Sequence, residues 1–265
     1  MNDQSLAPPL LRSTAQQVAI LTLNRPRQYN ALSGSLLTAL HAELDAIAAD
    51  EAVRVVLVTG AGSAFCSGHD LREMRAMASR AQVEELFASC SAMMQKLVAL
   101  PQPVIAVVNG IATAAGCQLV AQCDLAVAAR NARFAASGVN LGLFCSTPAV
   151  AISRNLGRKR AAEMLLTGDF IDAETALDWG LVNRVTPVEQ LMEVALEFAN
   201  NLKAKPRASL ALGKALFYRQ LEQPLAGAYA DATCTIAANM DTDIAREGVD
   251  AFFDKRTPRW DSTKD

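Results

Sequence analysis

The sequence predicts an α/β fold in which buried parallel strands alternate with amphipathic helices. Two observations carry this expectation. Short β-branched apolar runs recur at 53–58, 104–108 and 125–128, and residues spaced like one face of a helix separate them. The crossovers are long enough for parallel pairing. With 265 residues and 51% hydrophobic content, the chain suits one large domain or a core with a small appendage.

The elements follow in order. The opening MNDQSLAPPL reads as a loose head, and 18–23 alternates like a strand until Asn24-Arg25-Pro26 breaks it. Leu36, Leu37, Leu40, Leu44 and Ile47 then mark a helix behind Ser33 as candidate N-cap. After the strand at 53–58, Val83, Leu86, Phe87, Cys90, Met93, Met94 and Leu97 mark a second helix, which Pro101 and Pro103 stop. Strands at 104–108 and 125–128 complete the alternation, and helices dominate from Thr147 onward. Thr147-Pro148 reads as an N-cap followed by proline at the first helical position, Asp172 as the cap of a short helix that Gly180 ends, and Thr186-Pro187-Val188-Glu189 has capping-box spacing. Two or three further helices are expected after Lys205, up to the charged Asp254-Lys255-Arg256.

Composition removes several classes of function. Twenty-five Lys+Arg against 27 Asp+Glu give a net charge of -2, which argues against a nucleic-acid partner or an anionic membrane surface. Six dispersed cysteines without a CxxC pair, and only His41 and His69 beside them, argue against a metal site or a disulfide scaffold. No run of about 18 apolar residues suggests a membrane span, and the N-terminus lacks a basic leader with an apolar stretch. The expectation is a cytoplasmic protein of a reducing compartment.

Two loops carry the candidate chemistry. The first, Thr59-Gly60-Ala61-Gly62-Ser63-Ala64-Phe65-Cys66-Ser67-Gly68-His69-Asp70, follows a buried strand but departs from GxGxxG, because Phe65 stands where the third glycine is needed. The second, Asn109-Gly110-Ile111-Ala112-Thr113-Ala114-Ala115-Gly116-Cys117-Gln118, leads small residues into a helix start, where unpaired N–H groups favour developing negative charge. Tight helix-on-strand packing would use the same small residues.

Together these stretches resemble the crotonase (enoyl-CoA hydratase/isomerase) superfamily. Leu23-Asn24-Arg25-Pro26 with Asn30-Ala31-Leu32 is similar to its opening motif, and Ala64 through Asp70 to its AFxxGxD loop. Asn109-Gly110 through Cys123-Asp124, and Thr167-Gly168 through Gly180-Leu181-Val182, resemble two further segments in the same order, over roughly residues 18 to 190. The resemblance implies a crotonase-like spiral of ββα units in residues 1–200. A C-terminal helical oligomerisation region in 201–265 would build a homotrimer or a dimer of trimers, with exposed faces such as Phe252-Phe253 buried there. It also implies an acyl-CoA substrate, with coenzyme A arriving as part of the substrate and no other cofactor. The backbone N–H groups of His69 and Ala115 would form an oxyanion hole.

Departures from the family pattern bear on activity. Its hydratases carry catalytic glutamates at the positions of Gln118 and Gly138, and neither carboxylate is present. A Gln amide holds water by hydrogen bonds but exchanges no proton near neutral pH. Cys66 through Asp70, Ala112 through Leu119, and Gly138-Val139-Asn140 with Gly142 through Pro148 resemble one branch of the superfamily. His69 is a candidate replacement base, or else holds the loop; Cys145 is a candidate thiolate at a helix start, or else a space-filling residue. Asn140 and Ser146 would orient water or cap a helix, and Asp70 would brace the turn. By resemblance, substrate contacts fall on Arg25, Arg27, Ala64, Cys66, Gly68, Asn140 and Cys145, with Lys255 and Arg256 meeting a phosphate. The open readings are hydration, isomerisation, decarboxylation, thioester hydrolysis, or a catalytically weak acyl-CoA binder.

Overall fold

The structure, a computed structural model, describes residues 7–260. The chain opens with a hairpin of strands β1 (Leu10–Ala15) and β2 (Val18–Leu23), turned by Gln16 and Gln17, both at positive φ. The first six residues of the expected loose head lie outside the described residues, and its last residue already belongs to β1. Helix α1 (Gly34–Ala48) follows, with the Ser33 hydroxyl accepting the Leu36 N–H as expected of its cap, and buries Leu36, Leu37, Leu40, Leu44 and Ile47.

A two-strand-plus-helix unit then repeats. Strands β3 (Val55–Gly60) and β4 (Ala64–Cys66) lead to α2 (Leu71–Ala76) and α3 (Arg80–Ala99). Strands β5 (Val104–Val108) and β6 (Ile111–Thr113) lead to α4 (Ala115–Gln122), and β7 (Leu125–Ala129) and β8 (Arg133–Ala135) to α5 (Ser146–Asn155) and α6 (Arg158–Thr167). The two-residue β9 (Ile171–Asp172), α7 (Ala173–Trp179), β10 (Arg184–Thr186) and α8 (Leu191–Lys203) close the core. The first strand of each unit joins a six-stranded sheet of order β1-β2-β3-β5-β7-β10, and the second joins a four-stranded sheet of order β4-β6-β8-β9. Pairing is parallel except for β1–β2 and β8–β9. This is the expected spiral of ββα units.

Continuous apolar strands follow from burial on both faces. One face of β3, β5 and β7 presents Val56, Val58, Val104, Ala106 and Val108 to the core shared with α1 and α3. The other presents Val55, Leu57, Ile105, Val107 and Val127 to Leu191, Ala195 and Ala199 of α8.

Two helix starts differ from expectation. Helix α5 begins at Ser146, with Cys145 in the cap position making no side-chain cap, so Thr147 lies inside the first turn; Pro148 fits there because that turn has no N–H bonds to lose. The Thr186–Glu189 spacing forms no capping box. A short 3-10 turn, Val188–Gln190, intervenes, and the Thr186 hydroxyl bonds Gln190 Oε1 instead, at 3.4 Å. Asp172 does cap α7, and Gly180 ends it in the left-handed conformation.

Among the described residues three helices follow residue 205: α9 (Arg207–Gln220), α10 (Leu225–Met240) and α11 (Asp243–Phe253). A polar clasp ties α9 to the core. Lys214 Nζ donates to Asp124 Oδ2 at 2.7 Å and to the Leu97 and Gln102 carbonyls, while Tyr218 donates to Asp124 Oδ1 at 2.8 Å. Asp124 also accepts the Val104 N–H at 2.7 Å, so one carboxylate joins the starts of β5 and β7 to α9.

Candidate functional site

The first loop is braced by a network of side-chain hydrogen bonds. The buried Asn30 side chain accepts the Arg25 N–H and donates to the carbonyls of Ala61 and Ala64. The Arg25 guanidinium pairs with Asp70 at 2.9 Å. Asp70 also caps α2 through the Arg72 and Glu73 N–H groups. Burial alone would raise the Asp70 pKa, but these donors outweigh it and hold the carboxyl below its ordinary range. Asp70 thus braces the turn.

The bracing orients the peptide that follows Gly68. Leu32 donates to the Gly68 carbonyl at 2.8 Å and accepts the Asp70 N–H at 3.1 Å, a parallel bridge that straddles His69. The His69 N–H therefore points away from Leu32 and has no acceptor among the described residues. Gly68, at φ +90°, lies against the second loop: a β-carbon on it would stand 2.9 Å from Ala114 Cβ and 3.3 Å from the Ala115 nitrogen.

The second loop supplies a matching donor. Ala114, at φ 51° and ψ -120°, turns the chain into α4 without a side-chain cap, anchored by its N–H on the Ala135 carbonyl at 2.9 Å. The N–H of Ala115, the first residue of α4, has no carbonyl to reach within the helix. Gly116 packs so closely on β4 that a β-carbon there would lie 2.0 Å from the Cys66 carbonyl oxygen. Two unclaimed backbone donors, of His69 and Ala115, thus flank the contact between the loops.

Few groups around this juncture can titrate near neutral pH. The Gln118 side chain is 4% exposed, and its Oε1 has no hydrogen-bond partner among the described residues. On a helix, a long side chain leans toward the preceding turn, here Ala114 and Ala115. The His69 ring packs on Phe87, with centroids 4.6 Å apart, and its Nε2 is buried without a partner. Burial pushes its pKa down to about 4, so the imidazole is neutral at pH 7 and does not titrate near neutrality as expected of a replacement base.

Gly138 lies in a 3-10 turn, Ser137–Leu141, and donates its N–H to Cys145 Sγ at 3.3 Å. Burial raises the Cys145 pKa, against a smaller lowering by that N–H, so the thiol stays protonated. Ser137 and Thr113 share a hydroxyl hydrogen bond of 2.7 Å that ties this turn to β6. That link was not legible in the sequence, because nothing marks β6 and β8 as neighbours before the sheet forms. Asn140 donates to the Gly168 carbonyl at 3.3 Å, and Ser146 bonds the Phe144 carbonyl.

The remaining expected contacts are scattered. Ala64 and Cys66 are buried, which leaves their backbone as the means of contact; the Cys66 thiol accepts the Gly68 N–H, and burial pushes its pKa up to about 12. Arg27 is exposed. Lys255 lies beyond α11, and Arg256 is held bidentately by Glu247, at 2.6 and 2.9 Å.

With this geometry in view, comparison with known proteins identifies the family. The profile described as Enoyl-CoA hydratase/isomerase matches residues 13–263. The chain belongs to the enoyl-CoA hydratase/isomerase family. Rat enoyl-CoA hydratase domain-containing protein 3, mitochondrial, is 46% identical over 254 residues, covering 95% of this chain and 85% of the relative. The crystal structure of an enoyl-CoA hydratase from Mycobacterium smegmatis superposes with a TM-score of 0.94 at 55% identity, covering 97% of this chain and all of that one. The human domain-containing protein 3 structure gives 0.92 at 41% identity, covering 95% and 100%. The branch that the sequence resembles is therefore that of domain-containing protein 3.

These relatives also correct the expected cytoplasmic location, since the rat and human proteins are named as mitochondrial. Reduced, dispersed cysteines do not distinguish one reducing compartment from another. Among the described residues no helix is long and apolar enough to cross a membrane.

Proposed function

We propose that this family member binds an acyl-CoA thioester at the juncture of the two loops and polarises its carbonyl. The His69 and Ala115 N–H groups both donate to the carbonyl oxygen between them, forming an oxyanion hole. The observation that carries this reading is that both donors lack an acceptor while the loops around them are clamped by Gly68, Gly116 and the Asn30 network. Rigid donors of this kind contribute about 3 kcal/mol each to an enolate-like transition state.

Hydration additionally needs a base that takes a proton from water and an acid that delivers one to the α-carbon. Gln118 and Gly138 supply neither, which costs about 10²- to 10⁴-fold per missing group. The family's hydratase chemistry is therefore slow here, and a binding or regulatory role that exploits the polarised thioester is the second reading. One observation favours it: His69 and Cys145, the two side chains that could replace the glutamates, are both held neutral by burial.

The decisive experiment offers purified protein crotonyl-CoA and longer enoyl-CoAs, following loss of the conjugated thioester absorbance and measuring affinity in the same samples. Binding with slow turnover is expected. Failure of every acyl-CoA to bind would refute the site; rapid hydration would refute the second reading.

An oligomer is proposed from the C-terminal helices, where Phe217, Leu225, Tyr229, Ile236, Phe252 and Phe253 are exposed. A groove of about 500 Å³ between α9, α10 and α11 is lined by Met240, Ile244, Val249, Phe252 and Phe253. A trimer or a dimer of trimers would cover these rings, and sedimentation at the mass of a monomer would exclude both.

A further inference from the structure

Ala114 holds a conformation that its residue type resists. At φ 51° and ψ -120° it has the backbone of the first central residue of a type II′ turn, which suits glycine and strains any residue with a β-carbon. Both peptides beside it are pinned. Its N–H donates to the Ala135 carbonyl at 2.9 Å, and its own carbonyl accepts the Gln118 N–H at 3.0 Å. Because a peptide is planar and trans, the Ala115 N–H points opposite to that carbonyl, out of the start of α4. Relaxing Ala114 would turn one of the two peptides, so it would break the anchor on β8 or spoil the aim of the Ala115 donor. One side-chain bond stands behind the anchor. Thr113, just before Ala114, and Ser137, two residues beyond Ala135, are half-buried and share the hydroxyl hydrogen bond of 2.7 Å. The ladder between β6 and β8 has only two residue pairs, Ala112–Phe134 and Thr113–Ala135, so this bond is a substantial part of what fastens their ends. Its worth is comparable to the strain that it opposes.

We infer that Thr113 and Ser137 are positioning residues: their hydroxyl bond keeps Ala114 in its strained conformation and thereby keeps the Ala115 N–H aimed at the contact between the loops. What that donor meets rests on the acyl-CoA reading above, and the backbone half of the inference does not. Thr113→Val keeps the shape of the side chain and removes the bond, and Ser137→Ala removes it from the other side. Glycine at position 114 takes the same conformation without strain, so it should make the bond dispensable.

Two measurements test the inference in the full-length protein. Crystal structures of T113V, S137A and T113V/A114G read the backbone half without any ligand. Residue 114 is expected to leave positive φ in both single variants and to keep it in T113V/A114G. Ala114 still at positive φ in either single variant overturns the inference. The absorbance of a bound dienoyl-CoA reads the aim of the donor, because hydrogen bonds to the thioester oxygen move the conjugated band to longer wavelength. Wild-type protein should shift the band. T113V and S137A should lose most of the shift and bind about fivefold more weakly, and T113V/A114G should regain it. A role in folding alone would lower Tm and leave the shift of the bound thioester intact, which overturns the inference, as does a lost shift that glycine fails to restore. Wild-type protein that binds no dienoyl-CoA, or binds it without a shift, counts against the acyl-CoA reading instead, and the crystal structures then judge the backbone half by themselves.

Discussion

Helices α4 and α10 are built from similar material, small and apolar residues interrupted by a few polar ones, yet they have opposite environments. Seven of the eight residues of α4 are buried, and none of the sixteen in α10 is. Composition therefore does not decide burial; the presence of a partner surface does. Helix α4 lies against β4, with Gly116 touching the Cys66 carbonyl, whereas the faces of α10 meet little beyond α9 and α11. The tightly wedged region holds its backbone donors in place, and the open one leaves its apolar side chains exposed.

The largest expected effect probes what fastens the open region to the core. Lys214→Met should cost about 4 kcal/mol in urea unfolding, because it leaves the largely buried Asp124 carboxylate without its cation, one of three partners. A loss below about 1 kcal/mol would show that the C-terminal helices are held by other means. Gly116→Ala should cost about 3 kcal/mol by forcing β4 and α4 apart. Little change there would mean that β4 and α4 yield to the added carbon without cost.

The third test uses pH. The folded-state pKa of His69, about 4, lies below its ordinary 6.5. Above pH 6.5 neither state holds the proton, and the residue contributes no pH dependence. As pH falls from about 6.5 to about 4, the unfolded chain takes up the proton first, and stability drops by on the order of 2 kcal/mol. His69→Phe should flatten that slope in unfolding measured at pH 7 and pH 5; an unchanged slope would place the imidazole in water.

Gly213→Ala in α9 should stabilise by about 0.5–1 kcal/mol, since nothing lies within 4 Å of the added carbon. Destabilisation would instead reveal a second copy packed there. The smallest stability change, under about 0.5 kcal/mol, is expected for Phe252→Ser with Phe253→Ser in dilute protein. The same variant should reduce the sedimenting mass if these rings join subunits.

Legibility followed the same division. Strands β2 and β5 fall on the residues that the alternation predicts, and Ser33 and Asp172 cap the helices assigned to them, because these signals are local. Strands β4, β6 and β8 have three residues each, too short to show any period, and β4 and β6 lie inside the two loops. The β1–β2 hairpin escaped for a different reason: Gln16-Gln17 takes a conformation that usually calls for Asn or Gly. Within the candidate site, the order of the loops was legible and the protonation of its side chains was not. His69 is neutral because of burial, in part under Phe87 on a helix that the loop meets only after folding, and Cys145 faces Gly138 across a turn with no sequence signature.

The clasp also imposes an order in time. Asp124 leaves the ribosome 90 residues before Lys214 and 94 before Tyr218, so the spiral core is synthesised with a carboxylate at the mouth of β5 and β7 awaiting its cation. Until α9 arrives, that carboxylate stays hydrated and keeps the strand starts from closing as a dry surface. The nascent core thus stays open at one defined point until the helix that finishes it has been made.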